Sequence, residues 1–280
     1  MPLYRSGTKE ARVMGKTYSL WQKMLAEGIG IFFLTFVGAG TATMTLILNH
    51  GAPIYTSNDI GIGALGGAGD WLAIALAFGF VIMAMVYVFG HVSGAHINPA
   101  VTLSLVVARV LPLSEAVAYW IAQLIGATIA AFAIALVYGH QAWTIGGLGA
   151  VAPFPAIPLW RAGIAEFLGT FGLVLGVHGL AVNKKAPDGW AGLIIGLNIS
   201  GLILLFGNVS GAGLNPGRTF GPLFADWVLG GPNLWYTLWV YWMAQLLAAV
   251  AVALVYPKIS LVRNNNKMAN EESATSQIHA

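Results

Sequence analysis

The chain has 280 residues, of which 58% are hydrophobic and 8% are charged, and its mean hydropathy is +0.76. This composition excludes a soluble globular domain and indicates a protein that crosses the membrane several times. The formal net charge of +3 does not indicate a nucleic-acid partner, because the basic residues lie near the ends and in a few loops. The absence of cysteine from the sequence excludes disulfides and thiolate metal sites.

Apolar segments, taken in chain order, predict the membrane spans. A helix needs about 20 apolar residues to cross the bilayer core. Two apolar stretches, 97–108 and 215–227, are too short to cross and are predicted to be re-entrant half-helices. The predicted fold class is an all-α membrane protein with six transmembrane helices and these two half-helices. The six predicted spans are 24–48, 71–92, 114–138, 161–182, 190–209 and 234–256.

The distribution of Lys and Arg predicts the orientation of these spans. Of the 13 basic residues, all except Arg161 and Arg218 lie on one side of this topology. Because Lys and Arg accumulate on the cytoplasmic side, both chain ends are predicted to be cytoplasmic. The predicted organisation is a cytoplasmic tail at 1–23, a membrane domain at 24–257 and a second cytoplasmic tail at 258–280.

One unusual loop occurs twice. Residues 90–103 read GHVSGAHINPAVTL, and residues 207–220 read GNVSGAGLNPGRTF. Proline fits the first turn of a helix and Asn is a favourable N-cap, so Asn98 and Asn215 are predicted to begin the two half-helices. The Gly- and Ser-containing backbone before each Asn is irregular. At membrane depth such backbone is tolerated only in a protein interior or beside a water-filled cavity, which predicts a conduit at mid-membrane.

The two loops belong to an internal repeat. An Ala-Glu pair ending at Glu27 recurs with its second copy ending at Glu166, and each pair precedes one Asn-Pro loop. Each repeat contains an odd number of spans, so the two copies must have opposite orientations. Residues 24–138 and 161–257 are therefore predicted to be inverted copies related by a pseudo-two-fold axis in the membrane plane.

Together these features resemble the aquaporin (major intrinsic protein) family of water and small-solute channels, over about residues 20–257. The resemblance rests on both Asn-Pro loops, the Arg three residues after the second Asn, the repeated Ala-Glu pair, and Thr-Phe-Gly-Pro at 219–222. GGAGDWLAIALAFGF at 66–80 and GGLGAVAPFP at 146–155 are similar to archaeal-type aquaporins. The resemblance implies a homotetramer in the cell membrane, with one pore per subunit and no cofactor. It implies conduction of water first and of glycerol and other small neutral solutes second, with protons and ions excluded.

The resemblance also assigns roles to individual residues. Asn side chains of the two loops are expected to donate to permeating water where the positive ends of the half-helix dipoles converge and oppose cations. The residues of the two Asn-Pro motifs are Asn98, Pro99, Ala100, Asn215, Pro216 and Gly217. The residues that match the outer selectivity constriction are Phe78, Ile203, Ala212 and Arg218. The residues expected to line the pore with backbone or side-chain groups are Gly94, Ala95, His96, Gly211 and Gly213.

The constriction residues imply modest selectivity. Ile203 stands where the most water-selective relatives have His, and with the small Ala212 it implies a wider, less polar opening. An Arg at membrane depth is costly and usually functional, so Arg218 is expected to donate to permeant oxygens and repel cations. Thr219 stands where glycerol facilitators have an acid, which favours water over glycerol. Gly217 replaces the family's usual Ala and is predicted to loosen the junction of the half-helices.

Three titratable residues near the loops have two interpretations each. Glu27 and Glu166 are expected to be structural carboxylates that accept hydrogen bonds from the loop backbones, with a proton relay as the alternative. His96 is expected to be a neutral side chain bonded to backbone, with a pH gate there or at His91 as the alternative.

Other classes of function have less support in the sequence. No G-x-S-x-G sequence or phosphate loop indicates an enzyme, and the spacing of acidic residues and His indicates no metal site. Secondary transporters also have inverted repeats with broken helices, but they need an ion-coupling site. A non-conducting membrane protein of the same fold is the remaining alternative.

Overall fold

The computed structural model describes residues 18–49, 67–154 and 156–260, so the predicted tails lie largely outside the described residues. Within these ranges all regular structure is helical. The helices are α1 (Leu20–Asn49), α2 (Ala68–Ser93), α3 (Pro99–Val107), α4 (Leu113–Tyr138), α5 (Gln141–Thr144), α6 (Leu159–Val177), α7 (Ala191–Ser210), α8 (Pro216–Val228) and α9 (Trp235–Ser260). A 3-10 turn (Gly147–Gly149) and a π-helical turn (His178–Val182) complete the set.

Six of the described helices are long and apolar enough to cross a membrane, and they match the six predicted spans. They are α1, α2, α4, α7, α9 and α6 together with its π-helical turn. The short helices α3 and α8 correspond to the predicted half-helices and begin at Pro99 and Pro216. The predicted fold class is therefore confirmed.

Each half-helix begins where the sequence predicts, because an Asn caps it and a Pro occupies its first turn. Asn98 and Asn215 have extended backbone, with φ of −161° and −156°. Gly94 and Gly211 cap the preceding long helices α2 and α7, and their φ values of 92° and 78° are left-handed and favour glycine. A short irregular segment of backbone therefore separates each long helix from the half-helix that follows.

The four main helices of the first half recur in the same order in the second. Helix α1 packs on α2 and α4, as α6 packs on α7 and α9. The half-helices cross between the halves, since α3 packs on α9 and α8 packs on α4. This exchange brings the N-terminal ends of α3 and α8 together inside the bundle, where the two Asn-Pro loops meet.

The segment between α4 and α6 folds against the bundle rather than away from it. Leu148 and Val151 are fully buried, and Phe154 N donates to Val209 O at 3.0 Å. Gly149 lies so close to α1 that an added Cβ would meet the backbone of Ala39. Glycine is required there because no side chain fits between the segment and α1.

Candidate pore

A buried carboxylate organises the first Asn-Pro loop. Glu27 is fully buried, and its Oε1 accepts from Ser93 Oγ at 2.7 Å and from His96 N at 2.9 Å. Its Oε2 accepts from Ile97 N at 2.6 Å and from Gln123 Nε2 at 2.8 Å. Four donors from the loop and from helix α4 therefore converge on one side chain of α1.

The second loop repeats this arrangement around Glu166 on α6. Its Oε1 accepts from Ser210 Oγ and from Gly213 N, both at 2.7 Å. Its Oε2 accepts from Leu214 N and from Gln245 Nε2, also both at 2.7 Å. The inverted copies therefore share the same donors, atom by atom.

These carboxylates hold an unusual backbone. Ala95 and Ile97 have φ of 48° and 53°, and their counterparts Ala212 and Leu214 have φ of 44° and 51°. Non-glycine residues in the left-handed region cost on the order of 1–3 kcal/mol each. Hydrogen bonds from backbone N–H groups to an ionised carboxylate are among the stronger ones in proteins and offset this strain. The loops keep their shape because Glu27 and Glu166 bind their amides.

The two Asn side chains join the loops to each other. Asn98 Oδ1 accepts from Ala100 N at 2.8 Å, and Asn215 Oδ1 accepts from Gly217 N at 3.0 Å. Each Nδ2 crosses to the other half, where Asn98 donates to Leu214 O at 2.9 Å and Asn215 donates to Ile97 O at 2.8 Å. An amide nitrogen has two hydrogens, so each Asn keeps one donor while its oxygen is occupied by the helix cap.

A cavity among the described residues runs past both Asn side chains, with a volume of about 50 Å³, which is room for only a few water molecules. The lining includes the loop residues Gly94, Ala95, His96 and Gly213, the two Asn residues and Arg218, and much of the remaining wall is aliphatic. His96 Nδ1 lies 3.1 Å from Thr102 Oγ1. The apolar part of the wall includes Leu34, Ile82, Val86, Val101, Leu105, Leu173, Val177, Ile195 and Ile199.

The four residues of the expected constriction line this same cavity. Phe78, Ile203 and Ala212 are 3%, 2% and 2% exposed. Arg218 is 1% exposed, with its Cζ 5.3 Å from the centre of the Phe78 ring. Among the described residues, none provides a hydrogen-bond partner for its three guanidinium nitrogens. Such a buried, unsatisfied cation is costly, so these donors are available to a molecule in the cavity.

The structure also shows what surrounds Gly211 and Gly217. Gly211 is not among the described residues that line the cavity, and an added Cβ there would lie 3.1 Å from Val151 Cγ1. At Gly217, an alanine Cβ would lie only 2.7 Å from Ile31 Cδ1. Ile31, which is fully buried, fills this space, and looser packing of the two half-helices at Gly217 stays a prediction.

The sequence reasoning missed a second repeated motif, Tyr-Trp-x-Ala-Gln, at 119–123 and 241–245. The Tyr hydroxyl of the first copy donates to Ser93 O at 2.9 Å. The Tyr hydroxyl of the second copy donates to Ser210 O at 2.6 Å. Each Tyr thus binds the last carbonyl of the long helix that precedes an Asn-Pro loop. Self-comparison of the sequence in α4 and α9 provides a signal for this motif.

The Trp of each copy binds a half-helix in the same way. Trp120 Nε1 donates to Pro99 O at 3.2 Å, and Trp242 Nε1 donates to Pro216 O at 3.1 Å. The first residues of a half-helix are thereby tied to α4 or α9. These Trp residues therefore have a structural partner in the protein and are more than membrane-interface side chains.

Gln245, the Gln of the second Tyr-Trp-x-Ala-Gln motif, accounts for the presence of Thr at position 219 because it binds the Thr hydroxyl. Gln245 Nε2 donates to Thr219 Oγ1 at 3.1 Å as well as to Glu166. Thr219 Oγ1 donates in turn to Asn215 O at 2.9 Å. Because Thr219 follows Arg218 in the chain, this network fixes the turn that carries the constriction Arg. An acid at position 219 would face the carboxylate of Glu166 across Gln245, which is electrostatically unfavourable.

The fold and the cavity define a class of protein: a membrane channel whose conduit forms between two half-helices that enter from opposite halves of the chain. The family model for the major intrinsic proteins matches residues 14–256. The chain belongs to this family, which includes the aquaporins.

The chain is similar to individual members of the family over most of its length. It is 50% identical to aquaporin AqpM of Methanothermobacter thermautotrophicus over 238 residues, which cover 85% of this chain and 97% of that protein. It is 46% identical to the probable aquaporin AqpM of Archaeoglobus fulgidus over 240 residues, which cover 86% of this chain and 97% of that protein. The X-ray structure of the aquaglyceroporin from Plasmodium falciparum matches with a TM-score of 0.70 at 25% identity, covering 86% of this chain and 97% of that one.

Proposed function

We propose that the protein is a passive channel that conducts water best, conducts glycerol and other small neutral solutes less well, and excludes protons and other ions. The observation that carries this proposal is the polar content of the cavity. Asn98 and Asn215 each offer an amide hydrogen while their oxygens are occupied, and Arg218 offers guanidinium donors. The surrounding wall is largely aliphatic.

Water passes because its oxygen accepts from the two Asn amides in the middle of the cavity. The N-terminal ends of α3 and α8 meet there, and their positive dipole ends raise the energy of a cation but not that of neutral water. Hydronium meets the same barrier as a metal cation. Arg218 adds a fixed positive charge at one end of the path, where it binds permeant oxygens and repels cations.

The constriction admits small neutral solutes because two of its four side chains are aliphatic. The side chains of Ile203 and Ala212 offer no hydrogen bonds, so a polyol loses part of its hydration there without full compensation. Water, which is smaller, keeps contact with Arg218 while it passes. We therefore rank water above glycerol and expect the discrimination between them to be modest.

We further propose a homotetramer with one pore per subunit, in the cell membrane, with both termini cytoplasmic. The even number of spans supports a common side for the termini, and the distribution of Lys and Arg supports the cytoplasmic side. Native mass spectrometry of the detergent-solubilised protein tests the tetramer. A monomeric or dimeric mass under conditions that preserve known tetramers would contradict it.

Stopped-flow light scattering on proteoliposomes tests the channel. Wild-type vesicles are expected to shrink faster than empty vesicles in an impermeant osmolyte and to recover slowly in glycerol. Asn215→Ala should slow shrinkage, whereas Asn208→Ala should not, because Asn208 lies on the exposed side of α7. A pH-sensitive dye inside the vesicles should report no added proton leak. Folded wild-type protein with rates equal to those of empty vesicles would refute the proposal.

A further inference from the structure

A buried histidine outside the Asn-Pro loops connects two helices at the cytoplasmic end of α6. His178 is 1% exposed, and its Nε2 lies 3.1 Å from Ser104 Oγ on the half-helix α3. Ser104 donates its own hydroxyl hydrogen to Val101 O at 2.7 Å. The hydroxyl oxygen must therefore accept, so His178 carries its hydrogen on Nε2 and donates to Ser104.

His178 also begins the π-helical turn, and the other end of this turn is anchored as well. Asn183 N donates to His178 O at 3.0 Å, which is the i→i+5 bond of a π-helix. Asn183 Nδ2 donates to Tyr256 OH at 2.8 Å, and the His178 ring packs edge-on against the Tyr256 ring with centroids 5.7 Å apart. One residue of α9 thus contacts both ends of the turn.

The two anchors require the π register. In an α-helix, residues five apart point in directions about 140° apart, because each turn holds 3.6 residues. His178 and Asn183 could not both face Tyr256 from such a helix. The π-helical i→i+5 bond brings residue i+5 closer in direction to residue i than an α-helix does, and both side chains reach the same tyrosine. The turn is therefore held by tertiary contacts on both sides.

The same turn forms part of the cavity wall. Ala181 and Val182 line the cavity, together with Val177 from the last turn of α6 and Leu105 from α3. Val177 and Val182 are five residues apart, and they share the cavity face because of the π register. In an α-helical register Val182 would turn away from Val177 and leave the cavity.

We propose that His178 is a positioning residue that, through Ser104, holds the π-helical turn and keeps Val182 in the cytoplasmic end of the pore. The mouth so formed is a second filter for neutral solutes, separate from the constriction around Arg218. This inference rests on the proposed channel function. Loss of the His178–Ser104 bond releases the turn toward the α-helical register, which withdraws Val182 and widens the mouth.

The first test compares glycerol and water permeability in proteoliposomes. His178→Leu and Ser104→Ala remove the donor and the acceptor, whereas His178→Gln keeps a donor of similar reach. Loss of one hydrogen bond should shift the equilibrium between the two registers about three- to tenfold, so the ratio of glycerol to water permeability should rise in the first two variants. It should stay near wild type in His178→Gln. An unchanged ratio in both His178→Leu and Ser104→Ala, with water flux intact, would overturn the proposal.

A second test needs no transport, because the sequence contains no cysteine. Val182→Cys and, as the matched control, Val177→Cys are introduced singly, and their reaction with a small water-soluble thiol reagent is followed by mass spectrometry. Both cysteines should react when His178 is present. Adding His178→Leu should slow the reaction of Val182→Cys and leave Val177→Cys unchanged. Equal reaction rates for Val182→Cys with and without His178 would refute the positioning role. If the protein were not a channel but His178 still positioned the turn, His178→Leu would still slow the reaction of Val182→Cys.

Discussion

Replacement of Gly217 by Ala tests how the two half-helices fit together. The added Cβ would lie 2.7 Å from Ile31 Cδ1, and Ile31 is fully buried. Overpacking of this kind costs about 1–3 kcal/mol. Alanine recovers about 1 kcal/mol of helix propensity relative to glycine. We therefore expect Gly217→Ala to lower the free energy of unfolding by up to about 2 kcal/mol.

Ile31→Val removes the methyl group that Ala would meet. Alone, this change should cost about 0.5–1.5 kcal/mol, the usual range for Ile→Val in a core. Combined with Gly217→Ala, it should cost less than the sum, with a favourable coupling of about 1–2 kcal/mol between residues in contact. Water flux should fall in Gly217→Ala, since α8 carries Arg218, and should recover in the double variant.

Unfolding by SDS in mixed micelles, followed by tryptophan fluorescence, measures the four members of this cycle, and stopped-flow scattering measures their water flux. Ala100→Gly, at the equivalent position of the first half-helix, is a control that should show no coupling with Ile31→Val. Additive effects of Gly217→Ala and Ile31→Val within measurement error would show that Ile31 does not fill the space beside Gly217.

Three further predictions concern the pore. Gln245→Leu removes the donor to Glu166 and Thr219 and should destabilise the protein by about 1–3 kcal/mol; unchanged SDS unfolding would contradict this. Ile203→His should narrow the constriction and lower glycerol flux more than water flux in the same vesicles, and equal loss of both would exclude Ile203 from the constriction. Mercurials should leave water flux unchanged, because the sequence has no cysteine; block that a thiol reductant reverses would disprove the expectation.

The spans and half-helices could be predicted from the sequence because hydrophobic length and the Asn-Pro pair are local signals. Asn is a favourable N-cap and Pro fits the first turn of a helix. The Asn-Pro pairs at Asn98 and Asn215 therefore predict the starts of α3 and α8. The π-helical turn at the end of α6 did not follow, because its register depends on Ser104 and Tyr256, which lie on other helices.

The candidate site was predictable in its residue types more than in its packing. Spacing and resemblance indicated Arg218, but the space beside Gly217 depends on Ile31, which is 186 positions earlier in the chain. The sequence shows the Tyr and Trp residues of α4 and α9, but a single span does not reveal that Trp242 Nε1 faces the carbonyl of Pro216. Pairings between distant helices require the folded structure.

The crossed Asn hydrogen bonds have a consequence for how the chain assembles in the membrane. Asn98 donates to Leu214 O and Asn215 donates to Ile97 O, so each half supplies the acceptor that the other needs. While only the first three spans have been inserted, the amide of Asn98 and the carbonyl of Ile97 have no such partner in the bilayer, where unpaired polar groups are costly. The crossed hydrogen bonds can therefore form only after the second half has been synthesised, which makes the meeting of the two loops a late step of biogenesis.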